Sequence, residues 1–152
     1  MTDSALPVPP RPRILLLDDD LFALELLEEM IGDLGNYDIA CETDARRALQ
    51  AMAARPPALL VCDLSMPGMD GIEFLAAAAS AGFCGQVMLL SGMDEGVRRA
   101  AERLATAQGL AVLGAFQKPI SSATLQGALA RLAPASGSGD NNEHNVTTLS
   151  GK

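Results

Sequence analysis

The chain has 152 residues, 49% of them apolar and only 3% aromatic, with a formal net charge of −8. That length fits one domain with some tail, its core filled by Leu, Val, Ile, Met and Ala, and the acidic balance excludes the basic stripe that nucleic-acid binding requires. No apolar run approaches the roughly 18 residues of a spanning helix, and no signal-peptide pattern opens the chain, so a cytoplasmic protein without a membrane or nucleic-acid partner is expected. Cys41, Cys62 and Cys84 are odd in number and lack CxxC spacing. They predict neither disulfides nor a zinc site and read as small buried hydrophobes.

Residues 1–12 read as a proline-rich flexible leader. Ile14–Leu17 is a short unbroken apolar run, as expected of a strand buried on both faces, and it ends at Asp18-Asp19-Asp20. Leu21–Leu34 follows as an amphipathic helix, with Leu24, Leu27 and Ile31 on one face, Asp20 as N-cap and Gly35-Asn36 as the stop. A second strand, Tyr37–Cys41, precedes a helix over Asp44–Ala54 that ends before Pro56-Pro57. Strand three, Ala58–Cys62, halts at Asp63; a turn on Met66-Pro67-Gly68 leads to a helix from Gly71 to about Ala81, broken by Gly82.

Val87–Leu90 is the fourth strand, ending at Ser91-Gly92, and Glu95–Gln108 the fourth helix, stopped by Gly109. Strand five, Ala111–Phe116, runs into Gln117-Lys118-Pro119, and a last helix covers Ser122–Leu132 with Leu125, Leu129 and Leu132 on one face. Five βα units in alternation predict an α/β fold with a parallel sheet covered by helices on both faces. Residues 134–152, small and polar, read as a disordered tail or linker, and the sole histidine, His144, falls there.

In a parallel sheet every strand's C-terminal end lies on one edge. Asp18 and Asp19, Asp63, Ser91 and Lys118 are therefore expected to converge. Each has an ordinary alternative: acids at a helix start complement its dipole, and Asp or Ser after a strand commonly begins a turn. All of them falling at the ends of the right strands together is the stronger signal. One lysine cannot neutralise three acids, and an oxygen-rich acidic site selects Mg²⁺ or Mn²⁺.

The constellation resembles the receiver domain of two-component response regulators over residues 13–133. The resemblance is carried by the acidic pair in Leu-Leu-Leu-Asp18-Asp19-Asp20, by Asp63-Leu-Ser-Met-Pro67-Gly68-Met-Asp70-Gly71, by Leu-Leu-Ser91-Gly92 and by Lys118-Pro119. It implies a doubly wound, flavodoxin-like (βα)5 fold with strand order 2-1-3-4-5. It implies further that Asp63 accepts a phosphoryl group from a histidine kinase or phosphotransfer protein. Asp18, Asp19, Asp63 and the backbone carbonyl of Ser65 would hold Mg²⁺, Asp18 largely through water, and Ser91 and Lys118 would contact the phosphoryl oxygens. Such a protein is a switch and not an enzyme, catalysing at most its own phosphorylation and dephosphorylation. Its usual contact face, for a target, a fused output domain or a homodimer, is helix 4–strand 5–helix 5. Here that face carries Arg98, Arg99 and Arg103, equally readable as a solvated helix face.

The chain departs from the family at one position. Three residues before the lysine, where a Tyr or Phe is usual, stands Ala115, and strand periodicity sends the adjacent Phe116 to the opposite side. A gap beside helix four, and activation through backbone shifts of that helix, are expected instead. Three alternatives remain. One is the front piece of a larger regulator such as a cyclic-di-GMP phosphodiesterase, suggested by the strand-five segment. Another is a phosphate-independent interaction module, disfavoured because no site residue is missing. The third is a haloacid-dehalogenase-type phosphatase, whose nucleophile lies in an Asp-x-Asp after the first strand, disfavoured because the lone downstream acid Asp63 fits the receiver order better.

Overall fold

A computed structural model describes residues 11–65 and 71–132. The expected leader up to Pro10, the Met66–Asp70 turn and the expected tail lie outside the described residues. The elements alternate as β1 (Arg13–Leu17), α1 (Leu21–Leu34), β2 (Asp38–Glu42), α2 (Ala45–Ala54), β3 (Leu59–Asp63), α3 (Gly71–Ser80), β4 (Gln86–Ser91), α4 (Glu95–Ala107), β5 (Ala111–Gln117) and α5 (Ser122–Ala130). The strands form one five-stranded sheet in the order β2-β1-β3-β4-β5, and every neighbouring pair is parallel. This is the doubly wound arrangement the sequence implied. β2 starts one residue later than expected, at Asp38, whose amide donates to Pro12 O and whose carboxylate pairs with Arg13 and Arg55.

Alternating side chains of the strands feed two separate cores. Leu15, Leu17, Leu60, Cys62, Val87 and Leu89 pack with α2, α3 and α4, while Ile14, Leu16, Leu59, Val61, Met88 and Leu90 pack with α1 and α5. β3, fully buried from Leu59 to Asp63, is the middle of the sheet. With so few aromatics in the chain, Phe74 of α3, 1% exposed, fills a large share of the first core. Phe74→Ala is expected to cost about 3–5 kcal/mol, read as a lowered urea midpoint.

Helix ends follow the side chains that can satisfy free backbone amides. The carboxylates of Asp20, Asp44 and Asp94 accept from Phe22 N, Arg47 N and Val97 N at 3.0, 3.0 and 2.9 Å, and Ser121 Oγ accepts from Thr124 N at 3.1 Å. α3 and α4 give way to turns in which Gly82 and Gly109 have φ of +86° and +95°. α3 begins hard against the end of β3: a Cβ on Gly71 would stand 2.7 Å from Leu64 Cα, and Gly71 N donates to Leu64 O at 3.3 Å. Only glycine allows that approach, so the segment carrying Asp63 is fixed against the helix that follows.

Candidate functional site

The acids, the hydroxyl and the ammonium do converge at the C-terminal edge of the sheet. Asp63 ends β3 and Ser91 ends β4, while Asp18 immediately follows β1 and Lys118 immediately follows β5. Asp18 is 6% exposed, Asp63 3% and Ser91 0%, whereas Asp19 is exposed. Lys118 Nζ lies 3.0 Å from Asp18 Oδ2 and 3.6 Å from Asp63 Oδ2. Each of Asp18, Asp19 and Asp63 offers a carboxylate oxygen, and these oxygens all lie within 4.8 Å of one another.

Backbone bonds fix these groups. Asp18 Oδ1 accepts from Asp20 N at 3.0 Å and Asp63 Oδ1 from Ser65 N at 3.1 Å, so each acid is held by the second residue after it. Ser91 Oγ accepts from Met93 N at 2.8 Å, and Ser91 O accepts from Lys118 N at 2.9 Å, tying the ends of β4 and β5 together. Leu64 N donates to Leu90 O at 2.9 Å, which ties β3 to β4 in the same way.

The electrostatics express an excess of negative charge. Burial pushes the Asp63 carboxyl above its ordinary value, and the neighbouring Asp18 adds to that, against the Ser65 amide and the Lys118 ammonium. Lys118 moves up as well: burial alone would pull it down, but its bond to Asp18 and the charges of Asp63 and Asp18 outweigh that. Two buried acids sharing one ammonium are under-neutralised. A divalent cation with hard-oxygen preference fits this donor set, since Mg²⁺ takes few protein carboxylates and keeps waters. Sequence reasoning found every one of these residues. It did not foresee the depth at which Asp18 is buried on its lysine.

The thiols correct one expectation. Cys62 is buried beside Asp63, and its pKa is driven far up by burial and by the charges of Asp63 and Asp18. Cys41 is half-buried, its thiol donating to Glu28 Oε1 at 3.7 Å, and burial together with Glu28 pushes it up to about 11. Cys84, however, is exposed and not a core residue: it lies in the connection between α3 and β4, its thiol donating to Gly82 O at 3.2 Å. Thiolate is the reactive form, so alkylation of the native chain at pH 8 is expected at Cys84 first, slowly at Cys41 and not at Cys62. Peptide mass mapping over time reads the order.

A family model, that of the response regulator receiver domain, matches residues 14–130. The chain is 32% identical over 84 residues to protein-glutamate methylesterase/protein-glutamine glutaminase 5 of Myxococcus xanthus, covering 55% of this chain and 24% of that protein. It is 34% identical over 65 residues to a probable chemotaxis protein CheY of Rhizobium etli, covering 43% and 50%. These matches span a quarter to a half of the relatives' own lengths. Among solved structures, the signal receiver domain of an HD domain-containing protein from Pseudomonas fluorescens Pf-5 superposes with a TM-score of 0.69 at 27% identity. That superposition covers 81% of this chain and 94% of that one. Among the described residues no helix is long and apolar enough to cross a membrane. With its sheet order, its edge of acids and the family match over most of its length, the chain belongs to the response regulator receiver domain family of two-component signalling.

Proposed function

We propose that Asp63 is the phosphoacceptor, taking a phosphoryl group from a phosphohistidine of a sensor histidine kinase or phosphotransfer protein, and that the change switches what the protein binds. The observation that carries this reading is the placement of the Asp63 carboxylate: at the end of the central strand, among metal-competent oxygens and 3.6 Å from an ammonium. Asp18, Asp19 and Asp63, with the Ser65 carbonyl, would hold Mg²⁺, or Mn²⁺ in its place. The ion supplies charge neutralisation for the oxygens of the transferring group.

The chain's own residues do the rest. Asp63 Oδ2 attacks phosphorus while the bond to the donor histidine nitrogen breaks, so the imidazole leaves with its electron pair. The bond from Ser65 N holds the other oxygen, Oδ1, and thereby fixes the carboxylate's orientation. Lys118 and Ser91 meet the phosphoryl oxygens from two other strand ends, which is the electrostatic stabilisation that phosphoryl transfer demands. The product carries a dianionic group in place of a monoanion, beside a lysine that was engaged with Asp18. Ser91 and Lys118 are drawn to it, and the loops after β4 and β5 move with them. The only catalysis in this account is on Asp63 itself.

The receiver unit in this reading spans 13–133 in a cytoplasmic protein, and its downstream partner is a protein surface or a fused output domain contacting the α4–β5–α5 side, where a homodimer also could form. The relatives fix no single output, since a methylesterase/glutaminase, a chemotaxis protein and an HD domain-containing protein all carry similar receivers. Binding of Mg²⁺ to the native site alone should stabilise the fold by about 2.7 kcal/mol at a concentration a hundred times its dissociation constant. The melting temperature is expected to rise with Mg²⁺ in the wild type and much less in Asp19→Asn, whose exposed side chain leaves the core untouched. Equal rises in both would contradict the metal assignment.

A further inference from the structure

Among the described residues, the large apolar side chains left at the surface fall into two groups. Leu21, Phe22 and Leu26 lie on α1, and Met93, Val97 and Leu104 lie just before or on α4. Apolar residues scattered singly over a surface are ordinary, but each of these groups follows one helix face. Phe22 and Leu26 are one turn apart. Val97 and Leu104 are two turns apart, with the exposed Ala100 between them. α1 buries Leu24 and Ile31 in the core it shares with α5, whereas α4 buries Ala101 and Ala105 in the core on the other side of the sheet. The two groups therefore face outward from opposite sides of the sheet and cannot meet within one chain.

The charges beside the two groups are opposite in sign. α1 carries Glu25, Glu28, Glu29 and Asp33 and no basic residue. Glu25 and Glu29 are exposed, one turn from Phe22 and Leu26 respectively. α4 carries Arg98, Arg99 and Arg103 against Glu95 and Glu102, which makes it a basic helix in a chain of net charge −8. Arg98 is turned back onto Met93 O at 2.6 Å, and the exposed Arg99 pairs with Glu95 at 2.7 Å. Arg103 is exposed next to Leu104 and makes no ion pair among the described residues.

We propose that these surfaces are the two halves of one joint between copies of this chain, the outer face of α1 packing on the outer face of α4 of the next copy. Phe22 and Leu26 meet Val97 and Leu104 there, and the acids of α1 face Arg99 and Arg103. Charge selects this pairing. A symmetric pair built on α1 sets acids against acids, and one built on α4 sets arginine against arginine, and like charges across an interface oppose association. Only α1 on α4 brings apolar surface together with opposite charges beside it. Exposed ion pairs are individually weak, so the apolar anchors hold the joint and the charges choose which surfaces meet. Such a joint is head-to-tail: each copy added leaves one α1 and one α4 face open, and assembly continues past the dimer as a ring or a filament. The inference stands apart from the reading of Asp63 as the phosphoacceptor.

Two variants of the full chain test it by sedimentation velocity over a range of concentrations at low ionic strength. Phe22→Gln removes the anchor of the α1 face and leaves α4 whole, and Leu104→Gln does the reverse. Both positions lie outside the core and the site, 71% and 50% exposed, so both variants fold. The wild type is expected to grow heavier with concentration beyond the dimer, and to dissociate at severalfold higher concentration in about 1 M salt, where the screening length is about 3 Å. Each variant alone is expected to stay monomeric. An equimolar mixture of the two is expected to form a dimer and stop there, because it joins one intact α1 to one intact α4 and leaves only damaged faces at its ends. A wild type that is monomeric throughout would overturn the proposal and leave each face to a different occupant. A wild type that stops at a dimer, a single variant that associates as the wild type does, or a mixture that stays monomeric would overturn it as well.

Discussion

Replacing Asp63 by Asn is expected to abolish phosphoryl incorporation from acetyl phosphate while leaving a folded chain. The amide cannot act as the nucleophile, and its shape matches the carboxylate that Ser65 N already holds at 3.1 Å. A second consequence separates this residue from a mere turn-former. The Asp63 carboxyl is raised above 3.8 in the folded protein, chiefly by burial. A raised acid means that the folded state binds its proton more tightly than the unfolded chain does. Its contribution to metal-free stability is therefore largest at acid pH and is lost as pH rises from the ordinary carboxylate range through the raised value. In the absence of Mg²⁺, Asp63→Asn should be the more stable chain at pH 7, and with saturating Mg²⁺ that advantage should vanish or reverse. Urea midpoints of both chains, with and without Mg²⁺, check the sign.

Lys118→Met should have the second large effect, on both fold and chemistry. The ammonium lies 3.0 Å from Asp18 and 3.6 Å from Asp63, and its loss leaves two buried carboxylates facing each other. Lys118 keeps 30% of its side chain exposed, so the expected metal-free cost is about 1–3 kcal/mol, below that of breaking a fully buried pair. The lysine's raised pKa means that this contribution is complete at neutral pH and fades only above the ordinary lysine range. Removing one preorganised charge from the phosphoryl oxygens should slow phosphoryl uptake by about 10²–10³-fold. Mg²⁺ should recover most of the stability and little of the rate, and a full recovery of rate would remove Lys118 from the transfer step.

The unbroken run Ile14–Leu17 and the acid at the end of Leu59–Asp63 were legible because burial on both faces of a central strand leaves no polar alternation to confuse the pattern. The N-cap at Asp20 was legible for an equally local reason: a short carboxylate just before an apolar helix has one obvious use. The bounds of β2 slipped by one because that strand is an edge, half-buried throughout, and its first residue is chosen by Arg13 and Arg55 pairing with Asp38. Those partners are remote in sequence. The burial of Cys84 was misjudged because cysteine's average preference for the interior does not hold in a connection between a helix and a strand.

Site residues could be read because strand ends in a parallel sheet share an edge, a rule that needs no side-chain geometry. Ala115 was correctly separated in facing from Phe116, yet the register shift that leaves Leu113 unpaired, between Val87↔Val112 and Met88↔Gly114, was invisible. Glycine in a strand signals an irregularity without saying which. Only the pairing with β4 shows that one residue is extra and that the aromatic ring covers the glycine.

The most direct measurement is the site and stoichiometry of phosphoryl uptake. The full chain would be incubated with Mg²⁺ and acetyl phosphate, reduced with borohydride to trap an acyl phosphate, and mapped by peptide mass. One group per chain, dependent on Mg²⁺ and trapped at Asp63, is the predicted result. Trapping at another carboxylate, or no uptake together with no beryllofluoride-induced rise in melting temperature, would contradict the account.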